Sequence, residues 1–273
     1  MGKFDGILIC TDLDGTLLSS DKTISRQNIE AIEYFKSHGG YFTFVTGRMP
    51  FFASDFYNII NPNAPFGCIN GGGLYDHKNN KYIWTRRIEA EVTELIKTVE
   101  ETIPNVGIQP NSFKNVYFSK DNYSMKCFRE LTGAPNLVRS YTEIEEPLAK
   151  IVFGLDTEED MNLIIEVLNS HPMADEFDFI RSEKNLYEIL PKGISKGTSI
   201  AKLSEYLSLS RGKIIAVGDY NNDIPMFKEA SLGIAVSNAC DDALNAADLI
   251  TVSNDENAIA QIIYDIERKK ISL

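Results

Sequence analysis

The sequence feature that most constrains the fold is a short apolar run that ends in two aspartates. The run from Ile7 to Cys10 leads into Asp12-Leu13-Asp14-Gly15. An apolar run of this length before a turn predicts a buried strand, and Gly15 lets the chain turn away after it. Two carboxylates so close together repel each other unless a cation lies between them or one of them holds a proton. The pattern therefore predicts a ligand site at the carboxyl edge of an open α/β sheet, although aspartates at such a position also serve simply to cap a turn.

Strand and helix patterns alternate in both terminal parts of the chain. Residues 25–37 and 51–60 have the apolar spacing of helices, and residues 41–45 between them are rich in strand-forming side chains. Residues 213–217 repeat the buried-strand pattern, and further strand and helix patterns follow them. Such alternation implies parallel strands joined by right-handed crossovers. We therefore predict an α/β fold class with a Rossmann-like parallel-sheet core.

The alternation stops near Tyr82. From there to about residue 189, helical segments and paired strands follow one another without a strict order, which is typical of an α+β unit. We predict that residues 83–189 form an inserted α+β cap domain. Residues 1–82 together with residues 190–273 then form the core domain.

The charge balance of the chain restricts its partners. The formal net charge is −12 over 273 residues, of which 24% are charged. A protein that binds nucleic acid through the phosphate backbone needs a basic surface, so the net charge argues against this class. A phosphorylated substrate would also need local positive charge to overcome the general repulsion. We therefore expect a metal ion or a few well-placed cations at any phosphate site.

The four cysteines are scattered along the chain without a Cys-x-x-Cys pair. This usage predicts reduced thiols in the core of a cytoplasmic protein. The N-terminus lacks the apolar region of a signal peptide, and no apolar stretch approaches the length of a membrane span. We expect a cytoplasmic location and no membrane contact.

Polar residues also follow two other predicted strands. Thr46 and Gly47 come after the strand at 41–45, and Asp219 and Asp223 come after the strand at 213–217. Because a parallel sheet gathers the carboxyl ends of its strands at one edge, we expect these groups to meet the first two aspartates. Several carboxylates in one cleft select a hard divalent cation such as Mg²⁺.

A lysine follows the predicted insertion in an unusual position. Ser195 is a predicted N-cap for a helix that runs to Leu207, so Lys196 lies in its first turn. A cation at a helix N-terminus is unfavourable against the helix dipole, which points to a nearby anion. The alternative is a solvated lysine on the helix surface.

Five motifs in order carry a family resemblance. They are DLDGTLL (Asp12 to Leu18), TGR (Thr46 to Arg48), SKG (Ser195 to Gly197), GDYNND (Gly218 to Asp223) and GIAVSNA (Gly233 to Ala239). The set is similar to the haloacid dehalogenase superfamily, and more narrowly it resembles the Cof-type phosphatases, which carry a large cap between the second and third motifs. The resemblance covers the whole chain. It implies the haloacid dehalogenase fold for the core and a specificity role for the cap.

The resemblance also implies a role for each motif residue. Asp12 would be the nucleophile that forms an aspartyl-phosphate, and it must be ionised. Asp14 would be the general acid and then the general base, so it must begin protonated. The implied phosphate-binding residues are Thr46, Gly47, Lys196 and Asn222. The implied Mg²⁺ ligands are Asp12, Asp14 through its carbonyl group, Asp219 and Asp223. Of these, Asp223 would bind the ion directly or through a water.

Three residues near these motifs remain open or depart from the pattern. Tyr220 stands where many relatives carry a small residue such as serine. The larger tyrosine side chain would crowd the cleft without changing a catalytic role. Arg48 either helps to bind substrate or pairs with a surface acid. Asn70 begins an Asn-Gly-Gly-Gly run that either forms a structural hairpin turn, which we favour, or contacts the substrate directly.

These observations favour one function over two others. We expect a Mg²⁺-dependent phosphatase that hydrolyses small phosphomonoesters, such as sugar phosphates or phosphorylated cofactors. A phosphotransferase or phosphomutase on the same fold is the first alternative, and a non-catalytic module that binds phosphorylated metabolites is the second. The expected partner is a small phosphorylated metabolite, and the expected assembly is a monomer or a homodimer.

Overall fold

The computed structural model describes residues 2–89, 91–210 and 213–271. The chain divides into two compact units, one formed by Met1–Thr85 with Ser195–Leu273 and the other by Arg86–Ile194. We call them the core unit and the inserted unit.

The elements follow one another in mixed order. The strands are β1 (Leu8–Thr11), β2 (Tyr41–Phe44), β3 (Phe66–Cys68), β4 (Gly73–Asp76), β5 (Lys81–Thr85), β6 (Gly107–Ser112), β7 (Tyr117–Phe118), β8 (Leu137–Val138), β9 (Leu148–Gly154), β10 (Phe177–Glu183), β11 (Leu186–Pro191), β12 (Ile214–Gly218), β13 (Leu232–Ala235) and β14 (Leu249–Ile250). The α-helices are α1 (Arg26–Ser37), α2 (Ser54–Ile60), α3 (Thr93–Thr102), α4 (Tyr123–Thr132), α5 (Glu158–Ser170), α6 (Lys196–Leu207), α7 (Ile224–Glu229), α8 (Asp241–Ala246) and α9 (Ala258–Glu267).

The main sheet of the core unit is parallel, as predicted. Among the described residues its five strands lie in the order β14-β13-β12-β1-β2. Every residue of β1 is buried, which fits a central strand covered on both faces. The α/β fold class is therefore confirmed.

Two helices of the core unit begin at the residues that the sequence indicated. The Ser25 side chain accepts a hydrogen bond from the Asn28 backbone and caps α1. Ser195 and Thr198 form a reciprocal capping box at the start of α6. Lys196 is therefore the first residue of α6, as predicted.

The unit boundaries differ by a few residues from the predicted 82/83 and 189/190. Strand β5 pairs antiparallel with β4, so hydrogen bonds hold the chain in the core unit as far as Thr85. At the other boundary, β11 pairs with both β10 and β9 and continues to Pro191. The sequence pattern missed β5 as a strand, and this error moved the first boundary.

The inserted unit contains an antiparallel sheet in the order β10-β11-β9-β6. One face of this sheet packs against α3 and α5 through a continuous apolar cluster that includes Val99, Ile151, Phe153 and Ile164. Helix α5 begins where the Thr157 side chain accepts a hydrogen bond from the Asp160 backbone. The role of this unit as a specificity cap stays a prediction.

None of the helices in the described residues combines the length and the apolar character that are needed to cross a bilayer. None of the four cysteines forms a disulfide, and Cys10 and Cys68 are buried in the core unit.

Candidate active site

Three adjacent parallel strands bring the predicted site residues to one edge of the main sheet. Thr11, the last residue of β1, lies beside Val217 of β12 on one side and Phe44 of β2 on the other. The chain continues the parallel pairing for one more residue, since the Asp12 backbone donates to the Val217 carbonyl at 2.8 Å. The residues that follow these strands therefore meet, as the sequence predicted for the carboxyl ends of a parallel sheet.

Lys196 lies inside this group and joins two of the carboxylates. Its Nζ is 2.6 Å from Asp12 Oδ1 and 2.6 Å from Asp223 Oδ1. Only 2% of the Lys196 side chain is exposed, so the solvated alternative is wrong. Burial lowers the pKa of Lys196, but the charges of Asp12 and Asp223 raise it by more than burial lowers it. The pKa of Lys196 is therefore above its usual range.

The carboxylates in this group outnumber the lysine. One oxygen from each of Asp12, Asp219 and Asp223 can be chosen so that all lie within 4.8 Å of one another. Burial raises the pKa of Asp12 well above its usual value, and although Lys196 lowers it, Asp223 and Asp219 raise it further. Burial and the neighbouring Asp223 raise the pKa of Asp219 to about 7. Negative charge in this cluster is therefore costly as it stands.

The local chain holds the second acidic loop firmly. Asp223 Oδ2 accepts backbone hydrogen bonds from Asp219 at 2.9 Å and from Tyr220 at 3.0 Å. The Thr16 hydroxyl donates to Asp219 Oδ1 at 2.6 Å. Gly15 adopts a φ of +84°, and a Cβ there would lie 2.5 Å from Asp219 Oδ2, so only glycine fits between the first and second acidic loops.

The donor set fits a hard divalent cation. Its members are carboxylate oxygens, which are the ligands that Mg²⁺ and Ca²⁺ prefer, while softer metals select nitrogen or sulfur. Burial and the neighbouring carboxylates raise the pKa values of Asp12 and Asp219, and a dication would offset both effects by favouring the ionised forms. The residues present therefore fit the expected metal.

The Asp14 carboxylate contacts two other cationic side chains, Arg48 and Lys22. Arg48 binds it in bidentate fashion, with Nε 2.8 Å from Oδ2 and Nη2 2.8 Å from Oδ1. Lys22 Nζ lies 3.0 Å from Oδ1. Burial raises the pKa of Asp14, but the hydrogen bonds and charges of Arg48 and Lys22 lower it to about 2. The carboxyl group is thus ionised in this arrangement, which differs from the protonated starting state expected for a general acid.

The predicted phosphate-binding groups lie beside the carboxylates. Thr46 is buried, and its hydroxyl accepts a hydrogen bond from the Arg48 backbone at 3.2 Å. Asn222 is also buried, and its Nδ2 donates to Asn70 Oδ1 at 3.1 Å. Gly47 packs against the same Asn70 side chain, because a Cβ on Gly47 would lie 3.0 Å from Asn70 Oδ1. Hydroxyl, amide and ammonium groups are the donors that bind phosphoryl oxygens, so the assignment of these residues to phosphate binding stays a prediction.

Sequence reasoning missed one residue that touches this site and left two others open. The structural turn predicted at Asn70 is present between β3 and β4, and the Asn70 side chain in it is completely buried and accepts a hydrogen bond from Asn222. Thr16 was passed over within the first motif, although it holds Asp219. Arg48 pairs with Asp14 rather than with a surface acid. For Asn70 the available signal was the asparagine followed by glycines, since both residue types tolerate a left-handed backbone.

The comparisons with known proteins agree with this geometry. The family model for haloacid dehalogenase-like hydrolases matches residues 9–263. The chain is 28% identical over 264 residues to the Bacillus subtilis 5-amino-6-(5-phospho-D-ribitylamino)uracil phosphatase YitU, covering 94% of this chain and 96% of that protein. It is 27% identical over 273 residues to the chloroplastic endoribonuclease YBEY of Arabidopsis thaliana, covering 94% of this chain. The chain spans only 46% of the length of that second relative.

The fold comparison leads to the same family. A crystal structure of a haloacid dehalogenase-like hydrolase from Bacteroides thetaiotaomicron superposes with a TM-score of 0.81 and 26% sequence identity. The superposition covers 95% of this chain and 99% of the other. The chain belongs to the haloacid dehalogenase-like hydrolases.

Proposed function

We propose that the chain is a Mg²⁺-dependent phosphatase that hydrolyses small phosphomonoesters through an aspartyl-phosphate on Asp12. The single observation that carries this proposal is the buried group in which Lys196 contacts Asp12 and Asp223 while Asp219 stands close by. A buried nucleophile surrounded by anion-binding donors and by excess carboxylates suits attack on a phosphate ester whose charge a cation shares.

The proposed roles follow the contacts of each residue. Asp12 attacks phosphorus and forms a P–O bond, while the bond to the leaving oxygen breaks and that oxygen takes a proton from Asp14. Water then attacks the aspartyl-phosphate and gives its proton to Asp14, which releases inorganic phosphate and restores the Asp12 carboxylate. Because Asp14 is ionised and bound to Arg48 and Lys22 in this structure, it must leave that pairing and take up a proton before it can protonate the leaving oxygen.

The remaining residues hold the reacting groups. Thr46, the Gly47 amide, Lys196 and Asn222 bind the oxygens of the phosphoryl group, and Lys196 also keeps Asp12 in place at 2.6 Å. Asp12, Asp219, Asp223 and the Asp14 carbonyl are the proposed Mg²⁺ ligands. When bound, Mg²⁺ supplies positive charge that favours the ionised carboxylates and shares the negative charge of the phosphoryl group.

We further propose that the physiological partner is a small phosphorylated metabolite and that the protein acts in the cytoplasm. Support for the substrate class comes from the phosphatase name of the Bacillus subtilis relative, which matches over nearly its whole length. The absence of disulfides among the four cysteines supports the location, and the net charge of −12 argues against nucleic acid as a partner.

The test is release of inorganic phosphate from p-nitrophenyl phosphate in MgCl₂, with and without EDTA. We expect release by the wild type, loss of release in EDTA, and loss of release in Asp12→Asn. Asp76→Asn is the matched control, because Asp76 belongs to the core unit and accepts hydrogen bonds from the Lys78 and Asn79 backbones within its own turn. Phosphate release that persists in Asp12→Asn would contradict the assignment of Asp12 as the nucleophile. Appearance of a new phosphate ester when an alcohol is added would indicate transfer, and phosphate binding without any release would indicate a binding module.

A further inference from the structure

The turn between β3 and β4 has an unusual backbone. Three successive residues, Ile69, Asn70 and Gly71, have φ values of +57°, +50° and +98°. Glycine adopts this left-handed region freely and asparagine tolerates it, but a β-branched residue such as isoleucine is a clear outlier there. Backbone strain of this kind persists only where the surrounding structure over-determines it. The contacts of this turn therefore deserve a functional explanation.

The turn is bonded to the loop that carries Gly47. The Ile69 backbone donates to the Arg48 carbonyl at 3.1 Å, and the Asn70 backbone donates to the Thr46 carbonyl at 3.1 Å. These two hydrogen bonds lie on either side of Gly47 along the chain. The Asn70 side chain covers Gly47 itself, since a Cβ there would meet its Oδ1 at 3.0 Å. The strained turn thus braces the loop that is proposed to present the Gly47 amide.

The same asparagine also orients Asn222. Its Oδ1 accepts a hydrogen bond from Asn222 Nδ2 at 3.1 Å, and both side chains are buried, with 0% and 5% of each residue exposed. A side-chain amide has two N–H donors. Bonding one of them to Asn70 sets which way the Asn222 amide faces and so directs its other donor.

The third residue of the turn lies against the start of α6. A Cβ on Gly71 would be 1.8 Å from the Ser195 carbonyl oxygen, so the turn and the peptide before Lys196 are in direct contact. One three-residue segment therefore touches all three parts of the proposed phosphate site: the Gly47 loop, Asn222 and the helix start that carries Lys196.

We propose that Asn70 is a positioning residue for phosphoryl binding, which acts by orienting the Asn222 amide and supporting the Gly47 loop. This inference rests on the proposed function, because it assumes that these groups bind a phosphoryl group. It also explains the strain, because the left-handed backbone is what directs the Asn70 amide between Gly47 and Asn222.

The experiment is a double-mutant cycle on the binding of inorganic phosphate, measured by isothermal titration calorimetry in MgCl₂. Asn70→Gly removes the amide but suits the left-handed backbone, so the turn is retained. Asn70→Gly and Asn222→Ala should each weaken phosphate binding by about tenfold, the scale of one lost hydrogen bond to a charged group. If Asn70 acts through Asn222, the double variant should also be weaker by about tenfold, and not by the roughly hundredfold that independent effects give.

Asn28→Ala is the matched control. Asn28 is another buried asparagine of the core unit, where its Oδ1 accepts from the Ala260 backbone at 3.0 Å. We expect this variant to unfold at a lower temperature and to bind phosphate as the wild type does. A purely structural role for Asn70 would give the same pattern, with lower stability and unchanged phosphate affinity, and would overturn the inference.

The remaining outcomes separate this inference from the proposed function. If the wild type binds phosphate but the two losses are independent, only the role of Asn70 is wrong. If the wild type does not bind phosphate at all, the proposed phosphate site is wrong and the inference falls with it.

Should Asn70→Gly fail to fold, Asn70→Asp keeps the size and the acceptor but adds a negative charge. Weaker phosphate binding in that variant supports the placement of Asn70, and unchanged binding contradicts it.

Discussion

A buried lysine in each unit forms ion pairs with carboxylate side chains, but the number of carboxylates that it contacts differs between the two units. In the inserted unit, Lys150 of β9 contacts Glu188 of the neighbouring β11 at 2.9 Å, with 8% and 3% of their side chains exposed. In the core unit, Lys196 contacts both Asp12 and Asp223 at 2.6 Å. The first pair matches one positive charge with one negative charge. The second group leaves carboxylates in excess, with Asp219 also close by.

The difference teaches where a buried charge is structural and where it prepares a site. A matched pair on a sheet face recovers part of its desolvation cost without any further charge. A cluster with excess carboxylates does not, which is why burial and neighbouring aspartates raise the pKa values of Asp12 and Asp219. The core-unit cluster thus favours a bound cation, whereas the contact between Lys150 and Glu188 in the inserted unit joins one charge of each sign.

The largest expected effect is on turnover. Lys196→Met should lower kcat/KM for p-nitrophenyl phosphate by about 10²–10³-fold, since it removes a preorganised donor to the phosphoryl oxygens. Lys150→Met, the matched change in the other unit, should lower it far less. The measurement is steady-state kinetics on both variants after their folding has been checked by circular dichroism. Equal losses in the two variants would abolish the distinction between the lysines.

The next effect is on the free energy of unfolding. Glu188→Gln should destabilise the inserted unit by about 3–5 kcal/mol, because it removes the negative charge that the buried Lys150 contacts at 2.9 Å. Asp12→Asn should cost much less, since Lys196 keeps its contact with Asp223. Urea denaturation followed by circular dichroism measures both changes. A larger loss for Asp12→Asn would show that the core-unit cluster depends on Asp12 for its stability.

Mg²⁺ should stabilise the folded wild type and should not stabilise Asp219→Asn. A ligand that binds only the folded state adds about 2.7 kcal/mol when its concentration is a hundred times Kd. Differential scanning calorimetry with MgCl₂ or EDTA measures the rise in Tm. Glu188→Gln serves as the control and should keep the full response. An equal response in Asp219→Asn would place the cation elsewhere.

The smallest effect concerns the metal-free protein. Because the pKa of Asp219 is raised to about 7, its ionised form is disfavoured by the folded state. The stability that this group contributes is present at low pH and is lost as the pH rises through that value. The rise from 3.8 to about 7 spans about three pKa units, which at about 1.36 kcal/mol each correspond to about 4 kcal/mol. Because Asp219 is only half-buried and solvent screens part of this energy, we expect Asp219→Asn to be more stable than the wild type by about 1 kcal/mol in EDTA near about pH 8. At about pH 4 the gain should shrink. A variant less stable than the wild type at the higher pH would contradict the charge-excess argument.

The parts of the fold that follow from local patterns could be predicted from the sequence. The apolar run before Asp12 and the parallel alternation around it were enough to predict that separate acidic loops meet at one edge. Ser195 marked the start of α6, and the unfavourable lysine after it correctly indicated a nearby anion. These signals lie within a few residues of the features they predict.

The parts that depend on distant contacts could not be predicted. Strand β5 carries no clean alternation and is defined by its pairing with β4. The left-handed turn at Ile69 runs against the preference of a β-branched residue, so local propensity points away from it. The pairing of Arg48 with Asp14 joins residues 34 positions apart, and the sequence offered no reason to choose it over a surface partner.

The most direct test of the account is chemical trapping of the phosphorylated enzyme. The protein would be mixed with p-nitrophenyl phosphate and MgCl₂, quenched, and treated with borohydride, which reduces an aspartyl-phosphate to homoserine, before peptide mapping by mass spectrometry. If Asp12 forms the aspartyl-phosphate, we expect homoserine at position 12 in the wild type and none in Asp12→Asn. Homoserine at another aspartate, or phosphate release with no trapped residue at position 12, would contradict it.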